Sequence, residues 1–71
     1  MRFSNDEIET RFSYHPPKAD QPERYNTIRG RAKELAYLIV DNTPESREQS
    51  LALTALEEAV MWSNAAIARR E

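Results

Sequence analysis

From Tyr25 onward, apolar residues recur every three or four positions, and the pattern breaks once, at Asn42-Thr43-Pro44. Tyr25, Ile28, Ala32, Leu35 and Ile39 form one seam, and Leu53, Leu56, Val60, Ser63 and Ile67 form another. Alternating steps of three and four mark the face that a helix turns toward a second helix. Two such seams joined by so short a break meet as an antiparallel hairpin. The break supplies its own restart: Thr43 is placed to cap a helix, Pro44 suits the first helical position, and Glu45 falls in the acid-favouring first turn. The preceding helix starts near Asp20, with Pro22 tolerated in its first turn. Helices are therefore predicted over about 20–41 and 44–70. Ser4 and Glu7 have capping-box spacing and predict a short helix over about 4–12. The expected fold class is all-α, a short N-terminal helix plus a long antiparallel helical hairpin, forming a single helical domain over residues 1–71.

Chain size adds a constraint. A domain of 71 residues buries only about 60% of the surface its unfolded form exposes, and such chains usually need reinforcement. With no cysteine and one histidine, neither disulfides nor a structural zinc site can supply it. Oligomerisation is the remaining common route. The last helix carries a second stripe, Leu51, Ala55, Ala59, Trp62 and Ala66, which is more apolar surface than one partner helix requires. The first helix offers only Phe3, Ile8 and Phe12 to cover it, so a homo-oligomer is expected. A host protein docking on the same stripe is the rival expectation.

Charge and hydropathy narrow the class of partner. A formal net charge of −2 gives no global basic field, so duplex nucleic acid is not an expected ligand. No stretch approaches the roughly 18 apolar residues of a transmembrane helix, and the N-terminus lacks the apolar region of a signal peptide. A soluble, cytoplasmic protein is expected, without membrane association.

No arrangement of residues reads as catalytic. His15 has no cysteine to activate, and the adjacent Glu57 and Glu58 point in different directions from a helix. The expectation is a protein that is not an enzyme and needs no metal or cofactor. The basic residues say more. Arg24 has Asp20 and Arg31 has Glu34 within a helical turn, but Arg29 and Lys33 sit one turn apart with no acidic neighbour at helical spacing. A solvated stripe and an anion site fit that pair alike. Arg69 and Arg70 can serve an anion or simply complement the dipole at a helix C-terminus.

The stretch Arg11-Phe12-Ser13-Tyr14-His15-Pro16-Pro17 enters the hairpin at the end where these cations gather. Tyr14 is placed to stack on a planar base, His15 and the arginines to bind phosphates, and the prolines to hold the loop at little entropic cost. Phe12 is expected to plug the open end of the hairpin instead. The lone Gly30, inside a helix, fits either close approach by a ligand or backbone, or a tolerated surface position.

Three segments, YHPP, RYNTIRGRAKELAYLIV and SREQSLALTALEEAVMWSNAAIAR, resemble the small phage proteins of the anti-CBASS cyclic-nucleotide sponge family. The resemblance runs from about Arg11 to Arg70 and leaves residues 1–10 outside it; a related helical hairpin occurs in the phage anti-Thoeris sponges. It implies tight dimers assembled into a hexamer, a trimer of dimers. It also implies sequestration of cyclic dinucleotides and trinucleotides, without cleavage, in the cytoplasm of the infected bacterial host, so that the defence effector stays inactive. In such proteins cyclic dinucleotides lie between protomers, with a loop aromatic and basic side chains contributing, and cyclic trinucleotides use other sites. Tyr14 matches the loop aromatic, Arg29 or Lys33 the basic contact on the second helix, and Arg69 or Arg70 the one on the third. The expected ligand contacts are therefore Tyr14, His15, Pro16, Arg29, Lys33, Arg69 and Arg70.

Overall fold

The computed structural model describes residues 3–71, and it closes local hydrogen bonds as three α-helices: α1 (Asn5–Phe12), α2 (Gln21–Asn42) and α3 (Arg47–Arg70). Among the described residues there is no strand. Each helix start has a local cause. The Ser4 hydroxyl accepts the Glu7 amide at 3.1 Å, satisfying one of the free N–H groups at the head of α1. Ahead of α2, the chain turns at Ala19-Asp20, with Ala19 in the left-handed region at φ 45°. There the Gln21 amide donates to the Lys18 carbonyl at 2.8 Å.

The start of α3 corrects the sequence expectation. It begins at Arg47 rather than Pro44, and its cap is Ser46 rather than Thr43. Two hydroxyl residues stand three positions apart, and the structure divides the work: Ser46 caps α3, while the Gln49 side chain turns to Thr43. The Ser46 hydroxyl accepts the Gln49 amide at 3.1 Å. Thr43 closes α2 instead, donating to the Ile39 carbonyl at 2.7 Å while accepting from Gln49 Nε2 at 3.0 Å. The connection is thus pinned from both helices.

α2 and α3 lie against each other as the hairpin. Tyr25, Ile28, Ala32 and Ile39 are half-buried opposite the half-buried Leu53, Leu56, Val60, Ser63 and Ile67. Leu35 departs from the expected seam: it is 44% exposed, and Ala36 turns inward in its place. A small residue there lets the two helices approach closely and leaves the larger leucine on the flank.

At the open end, Gln21 ties the ends together. Its Nε2 donates to the Ile67 carbonyl at 3.2 Å and to Glu71 Oε1 at 3.0 Å, while its Oε1 accepts the Lys18 amide at 3.0 Å. This satisfies a carbonyl that the end of α3 cannot pair internally. Arg24 adds a short ion pair to Glu71. No helix is long and apolar enough to cross a membrane.

The three helices form a slab of 45 × 34 × 13 Å, one helix thick. Its radius of gyration is 15.6 Å, against about 11 Å for a globular chain of this length. A single layer has no interior: among the described residues no apolar side chain is buried, and Gln21 alone is. The chain exposes 5990 Å², roughly 1400 Å² more than a globular protein of 8.3 kDa would.

Gly30 meets nothing within 4 Å where a Cβ would stand. Gly30→Ala is therefore expected to stabilise α2 by up to about 1 kcal/mol, read as a higher denaturant midpoint at unchanged slope.

Candidate functional site

The open end of the hairpin gathers the end of α1, the following loop, the first turns of α2 and the last turns of α3. Together they line a pocket of about 380 Å³ whose walls include Arg11, Tyr14, His15, Arg29, Asn64 and Arg69. Arg29 stands one turn after Tyr25 on α2, and Arg69 stands one turn after Ala65 on α3, so both cations point from the hairpin flank into the same opening.

Tyr14 is 83% exposed, its ring free of the protomer's own packing. Arg29 donates through Nη1 to Asn26 Oδ1 at 2.9 Å but has no carboxylate partner among the described residues, and neither does Arg69. The pocket therefore holds two uncompensated cations beside an exposed aromatic face, which suits an anion bearing a planar ring.

His15 is half-buried and already engaged. Its Nε2 lies 2.7 Å from the Thr10 carbonyl. A carbonyl can only accept, so Nε2 carries the proton and only Nδ1 remains for a ligand. The histidine thus ties off the end of α1 as it lines the pocket.

The other expected contacts fall elsewhere. Pro16 is exposed and stands outside the pocket lining. Lys33 lies farther along α2, in a groove of about 560 Å³ that it shares with Arg29, Leu53 and Glu57. Arg70 faces away from Tyr14 and forms a double hydrogen bond to Glu7, at 2.7 and 3.1 Å. Of the two C-terminal arginines, only Arg69 is unpaired among the described residues. Phe12 is 83% exposed and does not plug the hairpin end, because the Gln21 bonds already close it.

Three lining residues were hidden in the sequence. Tyr25 reads there as a seam residue, and it borders the pocket from the seam's edge. Arg11 pairs with Glu7 at 2.9 Å through Nε, a partner the sequence reading did not assign it; its Cζ also sits 4.5 Å from the Phe3 ring centroid. Asn64 carries a buried Oδ1 with no hydrogen-bond partner. Its signal was a lone amide in an alanine-rich run, Ser63-Asn64-Ala65-Ala66. Among the described residues, no group of histidine, cysteine or carboxylate side chains could hold a metal ion.

Ion pairs fasten α1. Glu7 is drawn from 4.5 to about 2, first by its hydrogen bond to Arg70 and then by that to Arg11. Arg24, and then Gln21, hold Glu71 below the ordinary carboxylate range. A pKa depressed by folding contributes stability that is complete above the unfolded value and lost as the pH falls through the folded one. Acidification is therefore expected to release α1 between pH 4.5 and about 2, followed by NMR shifts of the α1 amides. Glu7→Gln should release it already at neutral pH and abolish that transition. Glu71 weakens in the acid range as well, so the comparison with the Glu7 variant isolates α1.

The family model described as Acb2/Tad1, hairpin domain, matches residues 4–68. The match takes in α1 as well as the hairpin, and so reaches beyond the Arg11 limit expected from sequence. No curated protein and no solved structure gives a match.

Proposed function

We propose, because the chain belongs to the Acb2/Tad1 hairpin family of anti-CBASS and anti-Thoeris sponges, that it binds and sequesters cyclic dinucleotides without cutting them. The family implies an anti-defence sponge. The ligand class rests on one observation: Tyr14, Arg29 and Arg69 border the same opening, and neither arginine has a carboxylate partner among the described residues. In this reading Tyr14 stacks on a base and Arg29 and Arg69 neutralise the phosphodiesters, while Nδ1 of His15, an acceptor, can meet only a donor such as a base amine. The two negative charges of a cyclic dinucleotide match the two free guanidinium groups. Lys33 and Arg70 lie outside this pocket. Sequestration in the cytoplasm of the infected bacterial host would keep the defence effector inactive.

A layer one helix thick lines one wall of a pocket, and we assign the opposite wall to a second copy. The whole α3 stripe, Leu51, Ala55, Ala59, Trp62 and Ala66, is exposed, with Trp62 at 66%. A second exposed face, with Leu35 and Leu38 one turn apart, lies on the later half of α2. The excess surface of roughly 1400 Å² is of the order that one or two standard interfaces cover per protomer, at about 800 Å² each. Two faces support an assembly larger than a dimer, and a hexamer built as a trimer of dimers uses both.

Titration calorimetry with a 3′,3′-linked cyclic dinucleotide, followed by chromatography of the heat-released ligand, tests this reading. Tight binding at about one ligand per two protomers, with intact ligand recovered, is the expected result. Loss of base stacking in Tyr14→Ala should cost about 1–3 kcal/mol, a roughly tenfold to hundredfold weaker affinity. Unchanged affinity would remove Tyr14 from the site. Exposed Trp62 also suits an adaptor that docks a host protein. A blue-shifted, quencher-protected Trp62 emission in the purified protein is expected from self-assembly, and a red, easily quenched one would favour the adaptor.

A further inference from the structure

Arg11 is the residue that function leaves unexplained. It borders the Tyr14 pocket, and it also borders a second concavity of about 460 Å³ between α1 and α3, lined by Phe12, Trp62, Arg69 and Arg70. Arg11 and Arg69 thus form a ridge between two hollows.

Its guanidinium is held on one edge and one face. Nε donates to Glu7 Oε1 at 2.9 Å, and Cζ sits 4.5 Å from the Phe3 ring centroid. The two Nη nitrogens make no hydrogen bond among the described residues. An arginine fixed through Nε and stacked on a ring loses little rotamer freedom when its Nη fork meets an anion, and that fork matches the oxygens of a phosphodiester. Arg70 shows the contrast. It spends both Nη groups on Glu7, so the same carboxylate that satisfies Arg70 leaves the fork of Arg11 open.

We propose that Arg11, held in place by Glu7 and Phe3, is a further phosphate-binding residue of the Tyr14 pocket. Together with Arg29 and Arg69 it supplies a third cation to a dianionic ligand. This gives α1 a role: it brings one ligand-binding side chain to the site, and its ion pairs orient that side chain. The inference rests on the sponge reading above.

The test is titration of the full chain with a 3′,3′-linked cyclic dinucleotide over a series of salt concentrations, comparing wild type with Arg11→Gln, Arg11→Lys, Tyr14→Ala and Arg31→Gln. Arg31 is 80% exposed, pairs with Glu34 and stands outside both hollows, so it controls for loss of one positive charge. Arg11→Gln should weaken binding roughly tenfold to hundredfold. It should also lower the magnitude of the salt slope, since one fewer cation meets the dianion and mobile ions screen what remains. Arg11→Lys should keep the wild-type slope while recovering only part of the affinity, since a point charge replaces the fork. Arg31→Gln should change neither.

A loss of affinity in Arg11→Gln with an unchanged slope would mean that Arg11 only props α1, and would overturn the proposal. So would wild-type affinity in Arg11→Gln while Tyr14→Ala binds more weakly; that result would leave the pocket standing. A wild-type protein that binds no cyclic dinucleotide overturns the sponge reading and this inference with it. Should Arg11→Gln melt early, its slope is read below its melting temperature, where the lost charge still lowers the slope if Arg11 meets phosphate and leaves it at the wild-type value if Arg11 is a prop.

Discussion

A layer one helix thick has no inside, and most features of this protein follow from that. Seam residues such as Ile28, Val60 and Ile67 are covered on one side by the opposite helix and remain half-exposed on the other. Hydrophobic burial within one protomer therefore contributes less than it does in a two-layer domain. Directional bonds hold the ends instead. Gln21 takes up the Ile67 carbonyl, Ser46 and Thr43 fix the connection, and Glu7 draws α1 to α3 through Arg70. Solvent-exposed ion pairs are individually weak, so they orient α1 more than they stabilise the fold.

The same economy of contacts shapes the site. A carboxylate compensates a cation only where one is within reach, and here compensation is uneven. Arg24 has Glu71 and Asp20, Arg70 has Glu7, and Arg31 has Glu34, while Lys18, Arg29, Lys33, Arg47 and Arg69 have none among the described residues. Two of these, Arg29 and Arg69, converge on the Tyr14 pocket. The unmatched charge is local, which explains how a chain with a net charge of −2 can offer an anion site.

The hairpin was legible in the sequence because its signal is periodic and the break is short. The seam of α3 and the exposed stripe beside it could both be read from spacing, whereas spacing left Arg29 undistinguished from Lys33 and Arg69 from Arg70. What spacing could not give was any contact between residues distant in the chain. Arg70 looked unpaired because Glu7 lies 63 positions away, and Phe12 looked like a plug because the Gln21 bonds across the hairpin end were invisible. Lys33 looked equivalent to Arg29 on one helix face, yet the pocket ends before it. Thr43 alone was read as the cap of α3, and Ser46, which holds that place by accepting the Gln49 amide, was overlooked. The uninterrupted run Ala36-Tyr37-Leu38-Ile39-Val40 was also readable as a helix apolar on all sides, which signals a second buried face.

The central claim is that copies of the chain supply the core that one protomer lacks. Its most direct test is sedimentation velocity together with thermal melting followed by helical circular dichroism, both over a hundredfold or so range of protein concentration. The account predicts an assembled species wherever the protein is helical and a melting temperature that rises with concentration, because association and folding are linked. A monomer that stays helical, and melts at one temperature whatever its concentration, would contradict it.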